Sequence, residues 1–154
     1  MPNTHTIHVP HLGGTTASYQ TPRPLTPNKP TLVLINSFTT DSELYRAQYA
    51  NTTLTDRMNV LAIELLGHGQ TRTSSENFTY WDTAIMNLQV LRALGIRERT
   101  YVLGTSQGGW VTVRMALLAR EMGVKVFCHF FFFFASLQMC PRACLPGSSC
   151  TFPP

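Results

Sequence analysis

Acidic residues are scarce in this chain. Eight Asp and Glu stand against twelve Lys and Arg, and charged residues make up 13% of 154 positions, where an average soluble domain carries roughly 25%. None of the acids lies beyond Glu121, and no cysteine comes before Cys128. The basic residues are scattered singly, so the net charge of +4 is not gathered into the patch or stripe that a nucleic-acid surface requires. Nucleic acid is set aside on that ground. Met1–His11 has neither a basic start nor an apolar run of signal-peptide length. The expectation is a cytoplasmic protein with reduced thiols, in which the triplets Asn51-Thr52-Thr53 and Asn77-Phe78-Thr79 carry no glycan.

What is present is enough apolar material, 44% of the residues, to build a packed core of single-domain size. Composition breaks near the end. Residues 1–122 read as an ordinary globular segment. Residues 123–154 hold all four cysteines (Cys128, Cys140, Cys144, Cys150) and the run Phe130–Phe134, and form a divergent hydrophobic and Cys/Pro-rich tail.

Thr4–Val9, Gly13-Gly14 and Thr15–Gln20 read as a β-hairpin. Pro22, Pro24, Pro27 and Pro30 then make an extended connector that cannot enter a central strand. Thr31–Asn36 and Asn59–Leu65 are short continuous apolar runs, the pattern of strands buried on both faces. Between them, Thr40-Asp41-Ser42-Glu43 fits a capping box with Thr40 as the cap, opening a helix to about Ala50. Thr79-Tyr80-Trp81-Asp82 is a second such box. Trp81, Ala84, Ile85, Leu88 and Leu91 follow at helical spacing, and Gly95 stands where a left-handed cap belongs. Thr100–Gly104 is a third buried strand, Trp110–Glu121 a helix, and Val124–Phe134 a further strand. Strands alternating with helices imply crossover units. The class is α/β, with a mostly parallel sheet and flanking helices.

Gly104-Thr105-Ser106-Gln107-Gly108 is G-x-S-x-G between a strand and a helix, the context of a nucleophile elbow. The turn is so sharp that side chains two residues before and two after the serine would clash. It lifts the Ser106 hydroxyl to the amino end of a helix, whose dipole favours negative charge, and leaves the Gln107 N–H to donate to an oxyanion. The second donor is expected from the loop after the earlier strand, Asn36-Ser37-Phe38, through the backbone N–H of Phe38 or of Ser37.

Leu32–Phe38, Ala62–Thr71 and Val102–Trp110 together resemble the α/β-hydrolase fold family, in the branch typical of fungal hydrolases. The resemblance covers roughly residues 5–122, and Gly67-His68-Gly69-Gln70-Thr71 matches the family's glycine-rich turn after its fourth strand. Where the family usually carries His-Gly after its third strand, this chain has Asn36-Ser37. The resemblance implies hydrolysis of an ester, thioester, amide or related bond of a small acyl substrate through an acyl-serine, with no cofactor. The family places its acid and histidine after the serine. Here Glu121 and His129 alone follow in that order. Glu121 stands roughly 22 Å along the next helix at ~1.5 Å per residue, and His129 part-way back along the next strand. Neither reaches Ser106, so the chain is expected to lack its acid and base and to be truncated after the elbow helix.

Among the other histidines, His68 shares the rim of the sheet with Ser106 and is both a turn residue and a candidate base. His5, His8 and His11 alternate in the hairpin, where exposed strand positions account for them better than a metal. Asp82 belongs to its capping box. The cysteines of the tail lack a zinc spacing. A truncated isoform, translated non-coding sequence and a membrane-seeking tail are the three accounts of residues 123–154, the last disfavoured because Val126–Cys140 falls short of the ~20 residues that span a bilayer. Two functions follow: a serine hydrolase acting on ester-type bonds, or a catalytically silent fragment that binds a protein partner.

Overall fold

The computed structural model describes residues 2–131. Strand β1 (Asn3–Val9) pairs antiparallel with β2 (Thr15–Thr21) through a tight turn at His11–Gly13, as the hairpin pattern predicts. After the proline-rich connector come β3 (Thr31–Ile35), a 3₁₀ turn (Ser42–Tyr45), α1 (Arg46–Ala50), α2 (Thr52–Arg57) and β4 (Asn59–Ile63). The two-residue β5 (Arg72–Thr73), α3 (Tyr80–Ala93), β6 (Thr100–Thr105), α4 (Gln107–Ala119) and β7 (Val126–Phe131) complete the order. The sheet runs β1-β2-β4-β3-β6-β7, with β5 on β2. β4, β3, β6 and β7 are mutually parallel, and β1 and β2 are antiparallel.

The continuous apolar runs are explained by cover on both sides of the sheet. Val33, Ile35, Leu61, Ile63 and Val102 face one core, against Ala84, Leu88 and Leu91 of α3 and Val111 and Met115 of α4. Leu34, Val60 and Ala62 face the other, against Tyr45 and Tyr49. Strand side chains alternate between faces, so a strand sandwiched between helical layers has no polar side.

Two local expectations need correction. The cap before the first helical segment is Asp41, whose carboxylate accepts from the Glu43 N–H at 2.9 Å, whereas Thr40 turns its hydroxyl back to the Ser37 carbonyl at 2.8 Å. That bond closes the loop after β3, and the segment to Ala50 is a 3₁₀ turn followed by a short helix. Trp81 is not on the buried stripe of α3. It stays 43% exposed with the Arg114 guanidinium 5.1 Å from its ring, and Met86, Asn87 and Val90 complete the buried face. The Thr79–Asp82 capping box is formed. Gly95, at φ 75°, ends α3 with its N–H on Arg92 and the Ile96 N–H on Leu91, the double bond of a left-handed cap.

β7 lies parallel to β6 from Thr100↔Val126 to Thr105↔Phe131, so the sheet continues past residue 122. The rest of the expected strand, the later phenylalanines and Cys140, Cys144 and Cys150 lie outside the described residues.

Candidate active site

β3 and β6 are adjacent and in register, Ile35 opposite Gly104, so the segments leaving their carboxyl ends start side by side. β6 passes into α4 through Ser106 alone, at φ 50° and ψ −115°. A non-glycine residue held there costs on the order of 1–3 kcal/mol and persists only where its surroundings over-determine it. Those surroundings are two glycines. A β-carbon on Gly104 would run into the Gly108 carbonyl, and one on Gly108 would run into the Ile35 carbonyl and stand 2.6 Å from that of Asn36. Gly109, by contrast, has 3.6 Å of clearance. Ser106 is exposed, and its carbonyl accepts from the Gly109 N–H at 2.9 Å, the first turn of α4.

Asn36 is 1% exposed and joins two loops. Its Nδ2 donates to the Ser37 and Thr40 carbonyls at 3.2 and 2.6 Å, while its Oδ1 accepts from the Leu65 N–H at 3.3 Å. Tyr45 adds a second tie. Its hydroxyl donates to the Ile35 carbonyl at 2.6 Å and shares a hydrogen bond with Thr105 at 3.4 Å, and burial pushes its pKa up to about 12. Phe38 is 66% exposed, and among the described residues its N–H has no acceptor.

The turn after β4 is organised from below by Glu64, 4% exposed. Its carboxylate accepts from the Ser42 hydroxyl at 2.8 Å and from the Gln70 N–H at 2.7 Å. A buried carboxylate demands such donors, and Gly69 leaves it room, since a β-carbon there would enter the carboxylate. On this turn His68 Nδ1 lies 2.9 Å from the Leu66 carbonyl, which can only accept, so Nδ1 is the donor in this contact. The His68 ring meets that of Phe38 edge-on at 6.0 Å. The sequence reading missed Glu64 and Asn36. A lone acid inside Ala-Ile-Glu-Leu-Leu was the available signal.

The other candidates lie elsewhere. His11 Nε2 is 3.1 Å from Asp82 Oδ1, tying the hairpin to α3. Burial raises the Asp82 carboxyl, but hydrogen bonds from the Thr79 hydroxyl and N–H and from His11 outweigh it and hold the group below its ordinary value. His5 stacks on Tyr19 at 5.2 Å. Glu121 lies beyond the far end of α4, and His129 falls in β7. Among the described residues no cluster of three or more His, Cys, Asp or Glu is placed to hold a metal, and no helix is long and apolar enough to cross a membrane.

The family match agrees with a strand–helix turn of this shape on the carboxyl rim of a mostly parallel sheet. The chain belongs to the alpha/beta hydrolase fold family, whose profile matches residues 30–124, and the expected fold is borne out. Among solved structures it is similar to a membrane phospholipase A described as a bacterial virulence factor, at 23% identity and TM-score 0.67, covering 82% of this chain and 39% of that one. It is similar to a hydrolase from Pseudomonas aeruginosa at 28% identity and TM-score 0.64, covering 79% and 44%. An N-acyl homoserine lactonase complexed with N-hexanoyl homoserine gives 21% identity and TM-score 0.62, covering 79% and 42%. The chain thus spans about two fifths of the length of each. No curated protein sequence matches it.

Proposed function

We propose that this hydrolase-like chain carries the nucleophile half of a serine hydrolase acting on ester-type bonds of small acyl substrates, of the fungal branch its motifs resemble and working in the cytoplasm. Ser106 is the nucleophile, and the backbone N–H groups of Gln107 and Phe38 receive the oxyanion. The observation that carries the reading is the strained Ser106 backbone between two glycines that admit no β-carbon. Strain of this kind collects where function requires it. The exposed hydroxyl at the amino end of α4 then meets the positive end of the helix dipole.

Attack by the Ser106 oxygen on an acyl carbonyl forms a tetrahedral oxyanion and sends the hydroxyl proton to a base. Collapse breaks the ester bond and expels the alcohol, which takes the proton back from the base, and water then repeats the sequence on the acyl-serine, releasing the acid and free Ser106. Of the described histidines, His68 is the candidate base, because it stands on the turn after β4, at the carboxyl rim of the sheet that also carries Ser106. Glu121 and His129 follow Ser106 in the family's usual order, but Glu121 lies beyond the far end of α4 and is not counted on as the acid. The test is hydrolysis of p-nitrophenyl acetate by the chain and by Ser106→Ala. Loss of all turnover above background in the variant supports the assignment, and retained turnover overturns it.

A second reading, a catalytically silent module that binds a protein partner, is favoured by one observation. The His–carboxylate ion pair of the described residues, His11–Asp82, ties the hairpin to α3 and leaves Ser106 without such a pair. It predicts specific co-purification of a partner and no reaction with a serine-directed phosphonate.

A further inference from the structure

A cavity of about 290 Å³ opens beside the strained turn, lined by Leu66, Phe78, Thr79, Tyr80, Thr83 and Gln107. At ~30 Å³ per liquid water it has room for roughly ten waters, or one small ring with a substituent. Phe78 and Tyr80 are each 40% exposed and offer ring surface to a flat apolar group. The lining hydroxyls of the two threonines are occupied. Thr79 donates to Asp82 Oδ2 at 2.7 Å, and Thr83 to the Thr79 carbonyl at 3.5 Å. Gln107 differs, because its Oε1 is buried with no hydrogen-bond partner among the described residues.

We infer that this cavity is a specificity pocket and that the Gln107 carboxamide recognises a polar group carried on a small aromatic acyl substituent. The inference rests on the Ser106 reading and adds its substrate class. Gln107 is the residue after Ser106, so its backbone is fixed relative to that of Ser106 by the same turn. Because Oε1 has no partner among the described residues where it stands, turning that oxygen toward the cavity gives up no hydrogen bond made by it. The group then offers a ligand either its oxygen or its N–H donors. A substituent such as a carboxamide, which both donates and accepts, pairs with it, and an apolar substituent of the same shape does not. One net hydrogen bond of this kind is worth roughly two- to tenfold in affinity.

The probes are benzamide and its apolar isostere isopropenylbenzene, titrated into the ¹⁵N-labelled chain and followed by NMR. Benzamide is expected to move the side-chain amide resonances of Gln107, assigned by their loss in Gln107→Met. That substitution is expected to shift the ratio of the two dissociation constants roughly two- to tenfold against benzamide. Phe78→Ala is expected to weaken both probes and leave the ratio unchanged. An unmoved Gln107 amide, or the same ratio in wild type and Gln107→Met, overturns the assignment. If Gln107→Met does not fold, the wild-type resonance shift decides alone, with assignment through the backbone. Repeating the titration in Ser106→Ala separates the two claims, because binding makes no bond to Ser106. Loss of the ratio there leaves the nucleophile assignment standing, and turnover surviving Ser106→Ala leaves the pocket measurement readable.

Discussion

Gly108 lies so close to Ile35 that a β-carbon on the glycine would enter the Ile35 carbonyl oxygen. The first turn of α4 is thereby pressed onto the carboxyl end of β3, and the loop from Asn36 to Phe38 is brought against the turn at Ser106. Proximity of the two loops is a backbone property, fixed before any side chain contributes.

Gly108→Ala and Gly104→Ala are therefore expected to lose about 1–3 kcal/mol, the usual cost of overpacking, and to disturb the Ser106 turn. Gly109→Ala, with 3.6 Å of clearance in the helix, is expected to gain up to about 1 kcal/mol. Urea unfolding of the three variants checks the contrast, and equal effects at 108 and 109 contradict it.

Ser106→Gly removes the penalty for φ 50°. The variant is expected to be more stable than the wild type by roughly 1 kcal/mol while losing any acyl chemistry. A thermal melt showing destabilisation instead would mean that Ser106 is unstrained.

Glu64→Leu leaves the Ser42 hydroxyl and the Gln70 N–H without their acceptor. A loss of about 1–3 kcal/mol is expected from the one buried donor left unsatisfied, the Ser42 hydroxyl, because Gln70 is exposed and its N–H turns to water. Denaturant unfolding measures it, and a neutral result would show that the turn after β4 does not depend on this carboxylate.

Asp82 gives a pH signature. Its carboxyl is held below the ordinary value of 3.8 by Thr79 and His11 against the opposing effect of burial. The unfolded chain therefore takes up this proton first as pH falls. The stabilisation is fully present above pH 3.8 and drains away below it, toward the folded-state value. Asp82→Asn is expected to lower the melting temperature at pH 6 and to have a shrinking effect between pH 4 and pH 2. A constant difference across that range would contradict the linkage.

The fold was legible because its signals are local and repeated. Apolar runs such as Thr31–Ile35, short and bounded by turn residues, read as strands covered on both faces, and Gly95 marks the end of α3 by its left-handed φ. The turn at Ser106 was legible because glycine at 104 and 108, a steric requirement, stands between an apolar strand run and a helical pattern. Thr40 and Trp81 were misplaced because both depend on partners distant in space or outside the local pattern. Thr40 closes a loop onto Ser37, and Trp81 stacks with Arg114 from α4. Asn36 and Gln107 were not legible as side chains with roles, because nothing in their neighbours announces which loop or cavity a carboxamide will meet.

The most direct test of Ser106 as nucleophile is labelling of the folded chain with a fluorophosphonate, followed by peptide mass spectrometry. If Ser106 is the nucleophile, the adduct is found on the peptide containing Ser106 and vanishes in Ser106→Ala. A folded chain that takes up no label, or one labelled equally in Ser106→Ala, would contradict it.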